Sequence, residues 1–162
     1  MRIDAYLRAA RAASLVLFTV AMPAVAGADT DACTLLTAAQ VTAAVGVTVA
    51  EGQHVTPTFV KTCTWSPSGS SDVKSVTLNL QTAATYDGGK RMAVQMAAAS
   101  TGGAVQAASV GEDAYYFVAG DQVGLLVKKG GSSFKVAVYA TLPVEKKEAL
   151  ELALAKQVAA KL

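Results

Sequence analysis

The sequence predicts an α+β domain in which about three helices pack on an antiparallel sheet, in the order α-βββ-α-ββββ-α. Three observations support this fold class. Within the strand expected at residues 73–81, apolar and polar residues alternate from Ser75 to Gln81, which is typical of a strand with one buried and one solvated face. Short glycine turns join neighbouring strand patterns, which favours antiparallel pairing, and three helical segments flank or separate the strands.

The first predicted helix has a signal at each end. Thr37 is a suitable N-cap, and Gln40 three residues later completes a capping box. Gly46 stands where helices commonly end in a left-handed residue. We then expect strands at residues 47–50, 59–65 and 73–81, with most of the polar segment 51–58 in a loop.

The second half of the chain predicts a helix, four strands and a final helix. The second helix is expected over residues 90–100, after Asp87-Gly88-Gly89. The strands are expected at residues 105–110, 114–119, 122–129 and 132–140, with Gly120-Asp121 and Gly130-Gly131 as turns. The last helix starts at Pro143, and its apolar stripe consists of Leu150, Leu154, Val158 and Leu162.

Residues 1–28 are predicted to be a cleavable secretory signal peptide. Basic residues open this segment, an apolar run of 11 residues follows, and two overlapping Ala-x-Ala sites end at Ala26 and Ala28. A spanning helix needs about 20 apolar residues, so the run is too short to anchor the chain in a membrane. We expect cleavage after Ala28, leaving residues 29–162 as a single α+β domain that is periplasmic or secreted and has no membrane span.

Removal of the signal peptide changes the charge of the chain. The whole sequence has 14 basic and 12 acidic residues, and residues 1–28 contain three of the basic and one of the acidic ones. The remaining domain is therefore neutral. Without a basic field to attract nucleic acid or anionic lipid, neither is an expected partner.

Cys33 and Cys63 are the two cysteines of the chain. An even pair in an oxidising compartment usually forms a disulfide. This bond would close a loop of about 30 residues, which stabilises a fold by about 3.5 kcal/mol in the chain-entropy model. Trp65 is two residues from Cys63 in a predicted strand, so its ring is expected beside the disulfide.

A family resemblance accompanies these cysteines. The chain reads Asp31-Ala32-Cys33-Thr34-Leu35-Leu36-Thr37-Ala38-Ala39-Gln40-Val41, with a later Gly46 and then Cys63-Thr64-Trp65. This resembles the opening of small bacterial exported domains and lipoproteins of unknown function, many of them mycobacterial-type, whose pattern is Asp-x-Cys-x-Leu-Leu-Thr-x-x-Glu-Val, a Gly and a Cys-x-Trp. The resemblance covers the first third of the mature domain and implies the same cysteine pairing, but no activity. Gln40 replaces the usual acid, and we identify no lipid-bearing cysteine.

Catalytic and ligand-binding motifs are sparse. His54 is the only histidine, is expected to be exposed in a polar loop, and has no Gly-x-Ser-x-Gly motif to accompany it. A zinc site needs several Cys, His or carboxylate ligands, and the expected disulfide uses both cysteines. Asp87-Gly88-Gly89-Lys90 lacks the spacing of a phosphate-binding loop. We therefore expect no enzymatic activity, no metal and no cofactor.

The C-terminal strands carry apolar residues on both faces. One face is predicted to contain Tyr116, Leu126 and Tyr139. The opposite face is predicted to contain Phe117, Leu125 and Val136. The final helix has one apolar stripe and covers one face, so the other face is either covered by a further element or open to a ligand or partner.

These features predict an exported, non-enzymatic binding or accessory module whose partner is another exported protein. The alternative is a periplasmic carrier of a small apolar ligand. A deep pocket lined by Tyr116, Leu126 and Tyr139 would favour the carrier.

Overall fold

The protein is described by a computed structural model over residues 30–99 and 105–162. The predicted signal peptide and its cleavage site lie outside these residues. The described helices are a 3-10 helix (Ala32–Thr34), α1 (Ala38–Val45), α2 (Ala83–Ala99) and α3 (Val144–Ala159). The described strands are β1 (Gln53–His54), β2 (Thr62–Trp65), β3 (Val73–Thr82), β4 (Gln106–Ala107), β5 (Asp113–Ala119), β6 (Gln122–Lys129) and β7 (Ser132–Ala140).

The strands form one antiparallel sheet in the order β1-β2-β3-β7-β6-β5-β4. The chain passes through β1, β2 and β3, and α2 then connects β3 to β4 at the far edge. From β4 it returns through β5 and β6 to β7, which pairs with β3 in the middle of the sheet. The α+β class and the order α-βββ-α-ββββ-α are therefore confirmed.

Helix α1 has the predicted ends. The Thr37 side chain accepts a hydrogen bond from the Gln40 backbone N–H, and the Gln40 side chain accepts one from the Thr37 N–H. These two bonds satisfy donors that the first helical turn leaves free. Gly46 ends the helix at φ 75°, a left-handed conformation that glycine adopts without steric cost.

The strand predicted at residues 47–50 is wrong. This segment contributes one isolated bridge, between Val49 and Pro67, and the first strand of the sheet is Gln53–His54. Ala50 N–H donates to Ser66 O at 2.8 Å, which ties the segment to the loop after β2. The loop predicted over residues 51–58 therefore contains β1.

Helix α2 begins at Ala83, earlier than predicted. Thr82 Oγ1 accepts a hydrogen bond from Thr85 N at 3.1 Å and caps the helix start. Asp87-Gly88-Gly89 consequently lies inside the helix instead of preceding it. A Cβ on Gly89 would stand 3.2 Å from the Tyr115 hydroxyl, so the glycine permits close packing of α2 on the sheet.

The hydrophobic core lies on one face of the sheet, here called the core face. α3 packs Leu154, Ala155 and Val158 into this core, and α1 contributes Val41. The strand residues buried in the core are Cys63, Trp65, Val73, Val76, Leu78, Ala114, Tyr116, Val123, Leu125, Val127, Phe134, Val136 and Val138.

The opposite face, here called the outer face, is covered at one end by α2. Tyr86 is fully buried, with its ring centroid 5.4 Å from that of Tyr115. Two ion pairs fix the same end of the helix to the sheet: Lys90 with Asp113 at 2.5 Å, and Lys128 with Asp87 at 2.9 Å. These contacts come from Tyr86, Asp87 and Lys90 in the N-terminal half of α2.

Candidate functional site

The structure separates the residues that were predicted to form a binding face. Tyr116 pairs with Leu125, which belongs to the core face. Leu126 pairs with Tyr115 on one side and Lys135 on the other. Directly paired residues of an antiparallel ladder project to the same face, so Tyr116 and Leu126 lie on opposite faces. The prediction that they share a face is wrong.

The turn between β5 and β6 explains why Tyr116 and Leu126 lie on opposite faces. Gly120-Asp121 is a two-residue turn, as predicted, and Ala119 therefore pairs with Gln122. Counting back from this pair places Phe117, not Tyr116, on the face of Leu126. The signal was present in the sequence, because the length of the turn alone fixes the register of the hairpin.

Tyr116 is a core residue with a satisfied hydroxyl. Its side chain is 7% exposed, and its Oη donates a hydrogen bond to Glu148 O at 3.0 Å. Burial, reinforced by the nearby carboxylates of Glu148 and Glu151, raises the pKa of Tyr116 to about 12. The phenol therefore stays neutral and joins β5 to α3.

The outer face carries two exposed aromatic side chains. Phe117 is 40% exposed and Tyr139 is 39% exposed. Leu126 and Lys135, on the same face, are half-buried. We call Phe117, Leu126, Lys135 and Tyr139 the open patch. Exposed aromatic side chains that share a sheet face are a common feature of protein interfaces.

Lys135 organises the open patch. Its Nζ lies 5.8 Å from the centroid of the Phe117 ring, within the range of a cation–π contact. Gly124 makes room for this arrangement, because a Cβ there would stand 2.4 Å from Lys135 Cε. The lysine stem therefore lies across β6, and a single positive charge sits beside the exposed ring.

A separate cavity of about 480 Å³ lies where β3 extends past the start of β2. Apolar side chains on its wall come from Phe59, Leu80 and Leu162. The polar lining residues are Thr30, Lys61, Asn79, Gln81, Thr82, Thr85, Ser132 and Ser133. Tyr116, Leu126 and Tyr139 do not line this cavity, so the pocket that would have favoured the carrier is not the one found here.

The disulfide between Cys33 and Cys63 joins the 3-10 helix to β2. Cys63 and Trp65 are both fully buried, and both border Gly52, where a Cβ would stand 2.5 Å from Cys63 Sγ and 2.7 Å from the Trp65 ring. The predicted pairing and the placement of Trp65 beside it agree with this geometry. Gly52 is needed because no side chain fits between its backbone and the sulfur.

His54 is not the exposed loop residue that was predicted. It lies in β1, pairs with Cys63 in the ladder, and its side chain is 22% exposed. Its Nε2 stands 3.2 Å from Asp31 Oδ2, and its Nδ1 stands 3.2 Å from Thr62 O and 3.6 Å from Cys33 Sγ. Both ring nitrogens therefore have partners, and the sequence missed the group because β1 was assigned to a loop.

A buried carboxylate in α3 was also missed. Glu151 is fully buried; its Oε1 accepts a hydrogen bond from Val138 N at 2.9 Å, and its Oε2 has no partner among the described residues. The pairing of β6 with β7 ends at Leu125 and Val136. Glu151 therefore accepts its hydrogen bond from a backbone N–H that the ladder leaves free. The spacing of Lys147, Glu151 and Leu154 on one helical face could have revealed its burial.

Within residues 30–99 and 105–162, no helix is both long enough and apolar enough to cross a membrane. Comparison of the chain with protein-family models, curated proteins and solved structures finds no match.

Proposed function

We propose that this protein is an exported, non-enzymatic binding module that docks another exported protein on its open patch. The observation that carries the proposal is the exposure of Phe117 and Tyr139 on the outer face of the sheet. Lys135 is the charged member of the patch. The partner surface that fits is therefore apolar, with a carboxylate placed to meet Lys135.

Export is supported by the sequence features of residues 1–28 and by the disulfide. We place the mature protein in the periplasm or outside the cell. The absence of activity is proposed from the chemistry of His54, the only histidine of the chain, whose ring nitrogens face Asp31 and Thr62 O instead of a hydroxyl nucleophile.

The docking proposal is tested by cross-linking in the native host. A photo-activatable residue at position 139 should give one discrete adduct with an exported protein, and Phe117→Ser in the same chain should abolish it. Position 55 is the matched control, because Val55 is 67% exposed and lies outside the open patch. The same adduct from both positions, or none from position 139, would contradict docking.

A second candidate function is a carrier of a small apolar ligand, favoured by the cavity beside Phe59 and Leu80. Its volume of about 480 Å³ lies within the usual range for ligand sites, roughly 300–1,000 Å³. Native mass spectrometry of protein purified from its host should then show a retained ligand. Thr85→Trp should displace that ligand by filling the cavity, whereas Thr34→Trp, outside the cavity, should retain it.

A further inference from the structure

Four side chains with metal-binding chemistry meet at the disulfide. Asp31, Cys33 and His54 present ligand atoms within 4.8 Å of one another, and Cys63 is bonded to Cys33. The backbone fixes this cluster from two sides. Asp31 Oδ1 accepts a hydrogen bond from Cys33 N at 2.7 Å, and the β1–β2 ladder pairs His54 with Cys63.

The contact of His54 with Asp31 matches that of a metal-bound imidazole with its carboxylate. Its Nε2 lies 3.2 Å from Asp31 Oδ2, and its Nδ1 lies 3.6 Å from Cys33 Sγ and 3.2 Å from Thr62 O, a contact that zinc at Nδ1 would replace. Histidines that bind zinc through one ring nitrogen usually donate the other N–H to a carboxylate, which fixes the ring and increases its basicity. Two thiolates and an imidazole are also the ligands that zinc prefers in proteins.

We propose that reduction of the Cys33–Cys63 disulfide turns this cluster into a zinc site, with the two thiolates and His54 Nδ1 as ligands and Asp31 as the positioning residue. In the oxidised form neither sulfur is a thiolate, so the disulfide keeps the site closed. A water molecule would complete a tetrahedral shell, as it does in sites with three protein ligands. The inference is independent of the docking function.

The reduction requires a dithiol reductant, which supplies two electrons. A thiolate of the reductant attacks Cys33 Sγ, the sulfur of the half-buried cysteine, and Cys63 leaves as a thiolate that takes up a proton. The second thiol of the reductant then displaces Cys33, and the reductant becomes a disulfide. Zinc binding to the two thiols releases two protons, and the imidazole proton resides on Nε2, facing Asp31.

The fold allows the sulfurs to separate as zinc requires. Zn–S bonds of about 2.3 Å place two sulfurs nearly 4 Å apart in a tetrahedral site, so one cysteine has to move. Cys63 is held in β2 beneath Gly52, whereas Cys33 belongs to a three-residue 3-10 helix near the surface. Cys33 is therefore the cysteine that moves. Asp31 moves with it, because its Oδ1 accepts a hydrogen bond from Cys33 N.

The experiment compares oxidised protein with protein reduced by a phosphine, under anaerobic conditions, using Zn²⁺ and Co²⁺ as probes. The reduced protein should bind one equivalent of Zn²⁺ against a competing chelator, and Co²⁺ should give the thiolate charge-transfer and intense d–d absorption of a tetrahedral site. The oxidised protein should show neither. Stoichiometric binding to the oxidised protein, or none to the reduced protein, would overturn the proposal.

Three variants identify the ligands and the positioning residue. His54→Ala should lose the tetrahedral cobalt spectrum, and Asp31→Asn should keep it while lowering zinc affinity by about 10- to 100-fold. Asp72→Asn removes an exposed carboxylate outside the cluster and should change neither quantity. Equal zinc affinity in Asp31→Asn and Asp72→Asn would remove Asp31 from the site.

Circular dichroism and Trp65 fluorescence monitor the fold of the reduced protein in the same titrations. If the reduced chain is folded, the affinities are compared directly. If it unfolds, zinc should restore the native spectrum of the unmodified chain and of Asp72→Asn, but not of His54→Ala. Zinc binding without refolding, with equal affinity in His54→Ala, would show that two free cysteines suffice and would overturn the proposal.

Discussion

At the scale of single residues, the least expected feature is a carboxylate in the hydrophobic core. Burial raises the pKa of Glu151 to about 7, although the hydrogen bond from Val138 N and the charges of Lys135 and Lys147 act in the opposite direction. Glu148 adds a smaller repulsion. The folded protein therefore holds the Glu151 proton more tightly than the unfolded chain does.

Stability should consequently fall as the pH rises from about 4.5 to about 7. The folded-state pKa of Glu151 lies above its ordinary value of 4.5, so its contribution is fully present below about pH 4.5 and is lost as the pH rises through about 7. The whole shift corresponds to about 3 kcal/mol. Glu151→Gln should remove most of this loss between pH 5 and pH 8, as measured by urea denaturation at each pH.

Glu145→Gln is the control for this measurement, because Glu145 is an exposed residue of the same helix. It should keep the pH dependence of the unmodified protein. An unchanged loss of stability in Glu151→Gln would show that Glu151 does not titrate in this range.

At the scale of elements, the turns and close approaches of the backbone depend on a few glycines. Gly111 and Gly120 both have positive φ, at 67° and 62°. A Cβ on Gly111 would stand 2.5 Å from Lys128 O, a backbone atom of β6, whereas nothing lies within 4 Å of a Cβ on Gly120. An alanine at position 120 therefore introduces conformational strain alone, whereas an alanine at position 111 adds a steric clash.

Gly120→Ala should lower the free energy of unfolding by about 1–2 kcal/mol, the cost of a left-handed alanine. Gly111→Ala should cost clearly more, because the β5–β6 backbone must also move. Thermal and urea denaturation of the two variants check this order. Equal losses would contradict the close approach of Gly111 to β6.

The elements also show what the sequence predicts well. The bounds of β6 and β7 agree with the alternating pattern and its glycine turns, and the capping box of α1 is present as predicted. The start of α2 was missed because Gly88 and Gly89 suggested a break, whereas Gly89 serves packing against Tyr115. Local patterns do not distinguish a glycine that ends a helix from one that admits a neighbour.

At the scale of the whole molecule, the fold is predictable and the candidate site is only partly so. Alternation and turns identify the sheet, but assignment of a face needs the register across two hairpins, and one error placed Tyr116 with Leu126. The group at His54 required contact between residues far apart in sequence, Asp31 with β1. Such contacts follow from tertiary packing, which the periodicity of one segment does not contain.

One face of the sheet is closed core, and the other carries the open patch. Equilibrium urea denaturation of Tyr116→Ser and Phe117→Ser tests this difference most directly, because these neighbours are similar in size and lie on opposite faces. Tyr116→Ser should cost about 3–5 kcal/mol, as core truncations of aromatic residues do, and Phe117→Ser about 1 kcal/mol or less. The reverse order, or two large losses, would contradict the open patch.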